Sequence, residues 1–212
     1  MLTLLLALSP AGFAGEGTIL VFGDSISAAY GMDQQQGWAH LLSEKLDQEG
    51  LDYQVVNASV SGETTGGGVV RLPKTLEIHH PDIVVLELGG NDGLRGYPID
   101  SIKENLARMT KMSLDAGARV LLVGMVLPPN YGRRYTRAFE AIFAELASAF
   151  DIEFLPKLLE GTSTDQQLLQ RDGIHPTPEA QKLILEEIWP KLSCELRASS
   201  EESRVTRCEK KP

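Results

Sequence analysis

The hydrophobic positions of the chain alternate between two patterns. Five short apolar runs rich in β-forming residues are separated by stretches long enough for a helix. The runs cover residues 18–22, 53–57, 83–88, 120–125 and, more weakly, 152–155. Because parallel neighbours need a crossover connection, this alternation predicts an α/β fold with a parallel sheet covered by helices on both faces. The third and fourth runs are almost continuously apolar, so we expect them at the centre of the sheet.

The stretches between these runs carry helix signals. Helices are predicted over residues 38–48 and 101–116, the second ending at Gly117, which suits a left-handed cap. Pro178 suits the first position of a last helix. A helix over residues 135–150 has apolar side chains on one face, namely Tyr135, Phe139, Ile142, Phe143, Leu146 and Phe150.

The first residues have the pattern of a secretory signal. Residues 2–8 are apolar apart from Thr3, and small residues at Gly12 and Ala14 suit a signal peptidase. We therefore predict a signal peptide over residues 1–14 and a periplasmic or secreted protein. No Lys or Arg precedes the apolar run, so a first buried strand is the alternative. The run is much shorter than the roughly 20 residues that span a bilayer, which argues against stable membrane insertion.

Length and composition indicate one domain. With 212 residues, 42% of them hydrophobic, the chain suits a single core, which we place at residues 15–193. Residues 194–212 are predicted to form a C-terminal tail, polar and charged from Ala198 onward and disordered. An oxidising compartment would permit Cys194 and Cys208 to pair, and the alternative is one packed and one free thiol.

The net charge is −9, which opposes the phosphate backbone of nucleic acids and offers no basic surface to anionic lipids. We therefore expect no nucleic-acid partner. The expected partners are small molecules, and the expected oligomeric state is a monomer.

Candidate chemical groups follow the first three runs, where the crevice of an open α/β sheet lies. Ser25 comes just after the first run, and taken alone it suits the N-cap of a helix better than a nucleophile. Ser27 stands where an α/β-hydrolase elbow requires glycine, which disfavours that fold. Gly62 lacks a Cβ, so a ligand can approach its backbone N–H, and Asn91 could donate from its amide. Ordinary turns are the alternative interpretation of both positions.

Asp172 and His175 follow the fifth run and suit a base with its orienting carboxylate. The three-residue spacing lets one turn direct the carboxylate to Nδ1 of the imidazole. The other histidines, His40, His79 and His80, lie within or at the end of helix patterns. The glycine runs lack the spacing of nucleotide-binding loops, and the two cysteines are far from any histidine pair. We therefore expect no cofactor and no catalytic metal.

Together these residues resemble the SGNH hydrolases, also called GDSL esterases. The resemblance rests on four blocks in order: residues 23–27 (Gly-Asp-Ser-Ile-Ser), Gly62, residues 90–92 (Gly-Asn-Asp) and residues 172–176 (Asp-Gly-Ile-His-Pro). Residues 57–64, 87–96 and 127–135 are similar to the bacterial branch of periplasmic multifunctional thioesterase/lysophospholipase/arylesterases. Ile26 stands where the family name has Leu, and the cysteine-containing tail has no recognised counterpart.

The resemblance implies a three-layer flavodoxin-like fold with strand order 2-1-3-4-5. It also implies roles: Ser25 as the nucleophile, His175 as the base and Asp172 as its orienting group. The backbone N–H groups of Ser25 and Gly62, with the Asn91 side chain, would form the oxyanion hole.

Substrate choice depends on the walls of the site. Glycines flank Leu94 in residues 93–98, so we hypothesise a mobile flap whose Leu94 and Tyr97 cover an acyl chain, with a plain turn as the alternative. Leu127 and Pro128 could supply an apolar wall. The expected substrates are acyl esters and thioesters. A carbohydrate O-deacetylase and a binding protein without turnover are the competing hypotheses.

Overall fold

Five parallel strands form one sheet in a computed structural model that describes residues 17–159 and 166–197. The strands are β1 (Gly17–Gly23), β2 (Tyr53–Asn57), β3 (Ile83–Glu87), β4 (Arg119–Val123) and β5 (Glu153–Leu155). Their order is β2-β1-β3-β4-β5. The predicted parallel sheet and its strand order are therefore confirmed, with β3 at the centre.

Helices cover both faces of this sheet. They are α1 (Trp38–Gln48), α2 (Thr65–His79), α3 (Gly90–Leu94), α4 (Ile99–Asp115), α5 (Arg133–Phe150) and α6 (Pro178–Arg197). Alternate residues of each strand point to opposite faces, so the sheet divides the core in two. Leu20 and Leu86 pack with α2, α4 and α5, whereas Ile19 and Val85 pack with α1 and α6. The result is three layers, in which the sheet lies in the middle and its inner strands β1, β3 and β4 are almost entirely buried.

The ends of several elements differ from the predicted ones. Residues after β3 form the short helix α3, where a turn was the alternative. The last helix continues to Arg197, beyond the predicted domain boundary at residue 193, because buried Leu192 and Leu196 extend its apolar face. Gly117 has a φ of 87°, as its predicted role as a left-handed cap requires.

Three predictions concern residues outside the described ranges. They are the signal peptide over residues 1–14, the disordered segment from Ala198 and the pairing of Cys194 with Cys208. Across residues 17–159 and 166–197, no helix combines the length and the apolar character needed to cross a bilayer.

Candidate active site

The first part of the site is the turn that follows β1, which contains Ser25. The N–H of Ala28 donates to the carbonyl of Asp24, and the N–H of Tyr30 donates to the carbonyl of Ser25. The Asp24 carboxylate accepts from the N–H of Ile26 at 3.1 Å. Between Gly17 and Trp38 no α-helix begins, so the alternative that Ser25 caps a helix is wrong.

Ser25, His175 and Asp172 form a continuous hydrogen-bonded chain. The distance from Ser25 Oγ to His175 Nε2 is 2.8 Å, and that from His175 Nδ1 to Asp172 Oδ2 is 2.6 Å. The other carboxylate oxygen of Asp172 accepts from the N–H groups of Ile174 and His175. Hydrogen bonds led by the His175 N–H lower the pKa of Asp172 to about 2, so this carboxylate is ionised at neutral pH.

The loop that carries His175 is folded on itself rather than attached directly to a strand. The 3₁₀ helix Gln166–Leu168 lies between β5 and this loop, and Leu169 pairs with Pro176 in an isolated antiparallel bridge. Asp172 and His175 thus follow the fifth strand, as predicted, but at the end of a long connection. The bridge closes the loop just before α6, which gives Asp172 and His175 a fixed mutual orientation.

Two candidate oxyanion donors, Gly62 and Asn91, lie on segments that are hydrogen-bonded to the residues just before Ser25. Gly62 is exposed and has a φ of 79°, a backbone conformation that favours glycine. Space is not the reason for glycine here, because a Cβ at this position would meet no other atom within 4 Å. Its loop is joined to the end of β1 by the bond from Val60 N–H to the Gly23 carbonyl, 3.0 Å long. Asn91 lies in the first turn of α3, and its Nδ2 donates to Asp24 Oδ2 at 3.0 Å. The second N–H of that amide remains to stabilise an oxyanion.

A buried polar network lies beneath the Ser25 turn. Ser27 Oγ donates to Glu87 Oε2 at 2.6 Å and accepts from Trp38 Nε1 at 3.2 Å. The N–H of Asp24 also donates to Glu87 Oε2, at 3.3 Å. Burial raises the pKa of Glu87 well above its ordinary value, and burial likewise raises the pKa of Asp24 to about 6. No role was predicted for Glu87, although a carboxylate within a continuously apolar run was the available signal in the sequence.

The predicted substrate-binding residues differ in exposure. Leu127 is only 4% exposed and packs against Gly93, so it supports α3 instead of lining an open wall. Leu94 is half-buried, whereas Tyr97 and Pro128 are exposed.

Two hydroxyl groups hold the backbone of the predicted flap. Tyr131 Oη donates to the Leu94 carbonyl at 2.8 Å, and Tyr135 Oη donates to the Tyr97 carbonyl at 2.6 Å. These bonds favour a tethered turn over a freely moving flap.

The sequence and the fold both match known hydrolases. Residues 21–183 match the GDSL-like Lipase/Acylhydrolase family. The chain is 50% identical over 175 residues to the Esterase TesA of Pseudomonas aeruginosa, covering 82% of this chain and 87% of that protein. It is 43% identical over 171 residues to the Thioesterase 1/protease 1/lysophospholipase L1 of Escherichia coli K12, covering 81% of each.

A solved structure gives the same result for the fold. The psychrotrophic esterase EstA from Pseudoalteromonas sp., inhibited by monoethylphosphonate, superposes with a TM-score of 0.82 at 39% sequence identity. The match covers 86% of this chain and all of the other (100%). The predicted family is thereby confirmed: the chain belongs to the GDSL-like lipase/acylhydrolase family.

Proposed function

We propose that this chain hydrolyses carboxylic esters and thioesters through an acyl-enzyme on Ser25. The observation that carries the proposal is the unbroken chain from Asp172 through His175 to Ser25 Oγ, with separations of 2.6 and 2.8 Å. A hydroxyl alone is a weak nucleophile, and a base at this distance activates it. The ionised Asp172 carboxylate stabilises the imidazolium that forms when His175 takes the proton.

The reaction has two halves that use the same groups. Ser25 Oγ attacks the acyl carbonyl, its proton passes to His175 Nε2, and the carbonyl oxygen becomes an oxyanion. The N–H groups of Ser25 and Gly62, with Asn91 Nδ2, would stabilise that charge. The tetrahedral intermediate then expels the alcohol or thiol, which receives the proton from His175. A water molecule repeats the attack, releasing the carboxylic acid and regenerating Ser25.

The substrate class follows from the relatives and from the surface around Ser25. The names of the relatives include esterase, thioesterase and lysophospholipase activities. Exposed apolar groups at Tyr30 and Ile174 flank the base, 49% and 50% exposed respectively. Such surfaces suit acyl chains better than polar glycans. We therefore propose arylesterase, acyl-thioesterase and lysophospholipase activity on small-molecule acyl substrates.

Export is a separate part of the proposal. The apolar run and the small residues before position 15 support a periplasmic or secreted protein. Expression of the full chain in a Gram-negative host should yield periplasmic protein that begins at Gly15. Uncleaved protein confined to the cytoplasm would contradict export.

The activity is tested with a panel of substrates. Wild-type protein and Ser25→Ala are compared on p-nitrophenyl esters from acetyl to palmitoyl and on acyl-thioesters. We expect Ser25-dependent turnover with an optimum at medium to long chains. An acetyl-only optimum would instead favour the O-deacetylase, and binding without turnover would favour the non-catalytic protein.

A further inference from the structure

The two halves of the catalytic chain come from distant parts of the sequence. Ser25 lies in residues 24–33, the Ser25 loop, and His175 lies in residues 169–177, the His175 loop. The two side chains are 150 positions apart, yet Oγ and Nε2 are separated by 2.8 Å. The hydrogen bond between Ser25 and His175 must break and reform during proton transfer, so it cannot by itself maintain the distance between Oγ and Nε2. Other contacts between the two loops must therefore maintain it.

Gln170 makes the contacts that join these loops. Its side-chain Nε2 donates to the carbonyl of Tyr30 at 2.8 Å, in the Ser25 loop. The same nitrogen donates to the carbonyl of Pro176 at 3.0 Å, in the His175 loop. Its backbone N–H donates to the carbonyl of His175 at 2.7 Å. An amide nitrogen carries two hydrogens, so both are used, one on each loop.

The surroundings of Gln170 are shaped to this amide. Gly31, with a φ of 77°, packs so closely that a Cβ there would overlap Gln170 Oε1. The neighbouring Tyr30 ring lies on the His175 imidazole, with 4.4 Å between ring centroids. The bond to the Tyr30 carbonyl therefore restrains the backbone that carries the ring packed on the base. Both effects act on the position of the imidazole relative to Ser25.

We propose that Gln170 is a positioning residue whose side-chain amide holds the His175 loop on the Ser25 loop and thereby sets the separation of Ser25 Oγ and His175 Nε2. The inference rests on the proposed function and adds to it a residue outside the four sequence blocks. Gln170 touches no reacting atom. It acts through the backbone of the two loops that carry the nucleophile and the base.

The test replaces the amide without changing its size or charge. Gln170→Met keeps a long unbranched side chain and removes both N–H donors. The matched control is Gln48→Met, at an exposed position at the end of α1. The measurements are kcat and KM on a p-nitrophenyl ester, the rate at which a phosphonate ester labels Ser25, and the melting temperature. Assays are run well below the melting transition.

We expect kcat of Gln170→Met to fall by about 10- to 100-fold, because small displacements of a base are costly to proton transfer. Labelling of Ser25 should slow in parallel, while KM changes by less than about threefold. A residue that merely stabilised the fold would lower the melting temperature and leave kcat of the folded protein unchanged. Gln48→Met should keep wild-type kcat.

A second variant guards against a failure to fold. Gln170→Asn keeps the amide but is one methylene shorter, so it cannot reach both carbonyls and should also lose kcat. Wild-type kcat in either folded variant overturns the proposal for Gln170 alone. Absence of Ser25-dependent turnover in the wild type would overturn the proposed function, and with it this positioning role.

Discussion

At the scale of single residues, a carboxylate fixes which end of an amide faces the site. Asn91 could present either its oxygen or its nitrogen to a substrate, and only the nitrogen can stabilise an oxyanion. Asp24 Oδ2 accepts from Asn91 Nδ2 at 3.0 Å, which selects the orientation with the nitrogen toward the residue just before Ser25. The aspartate of the Gly-Asp-Ser block thereby acquires a physical role.

The first prediction concerns this amide. Asn91→Ala should lower kcat by about 100- to 1000-fold, because one oxyanion donor is removed from a preorganised site. Asn91→Asp keeps the size but offers only acceptor oxygens, so it should lose activity as well. Steady-state kinetics measure the effect, and unchanged melting temperatures control for folding. Wild-type kcat in Asn91→Ala would remove Asn91 from the site.

Local spacing in the sequence predicted the contact between Asp172 and His175, and the family resemblance added Ser25 to the same candidate site. Neither indicated the residues that support them. Asp172 and His175 are three residues apart, so their contact can be inferred from a single turn. Gln170 and Tyr30 are 140 positions apart, and no local pattern connects them. Such partners depend on how two loops pack after the sheet has formed.

At the scale of elements, the segment after β3 consists of α3 and the turn that follows it. This segment is partly exposed, yet hydrogen bonds hold it to other elements. Asp92, in α3, is buried and accepts from the N–H and the hydroxyl of Thr65 at the start of α2. The hydroxyl groups of Tyr131 and Tyr135 hold the segment that follows. In the sequence, the glycines on either side of Leu94 favoured a mobile flap, with a plain turn as the alternative. The anchoring groups come from elements far along the chain.

The second prediction tests whether this segment selects the acyl chain. The double variant Leu94→Ala, Tyr97→Ala removes two apolar side chains and leaves the backbone bonds from the tyrosines in place. We expect the chain-length preference to move toward shorter esters, by about 1 to 3 kcal/mol of discrimination, the usual value of a lost apolar contact. Relative kcat/KM across the ester series is the measurement. An unchanged preference would exclude the segment from substrate recognition.

At the scale of the whole molecule, the alternation of strands and helices was sufficient to predict a parallel sheet covered on both faces. The strand order was predicted from the resemblance to the SGNH hydrolases. The pKa shifts of the buried carboxyl groups could not be predicted from the sequence, because burial depends on the finished fold. Glu87 and Asp24 lie near each other in the core, and each is destabilised by ionisation there. The polar network beneath the Ser25 turn therefore loses stability as these carboxyl groups ionise at rising pH.

The third prediction is a pH dependence of stability. A carboxyl whose pKa is raised in the folded state binds its proton more tightly there than in the unfolded chain. Its stabilising contribution is complete below the unfolded pKa of about 4 and is lost as the pH rises through the folded value. For Asp24 this window ends at about pH 6, and for Glu87, whose pKa burial raises, it ends well above the ordinary value of a glutamate.

Glu87→Gln isolates this effect. Glutamine retains an acceptor oxygen for Ser27 and Asp24 but does not ionise. The free energy of unfolding of the variant relative to wild type should increase as the pH rises from 4 to 8, by up to about 1.4 kcal/mol per pH unit, the slope for one proton. Urea titrations at each pH provide the measurement. A difference that does not change with pH would show that Glu87 is not buried as a neutral group.

The most direct test of the central claim is the site of covalent labelling. Wild-type protein and Ser25→Ala are treated with a phosphonate ester, and the modified peptide is identified by mass spectrometry while activity is followed. We predict one phosphonyl group per chain, attached to Ser25, with activity lost in proportion to labelling. Labelling of another residue, or esterase turnover that persists in Ser25→Ala, would contradict the assignment of Ser25 as the nucleophile.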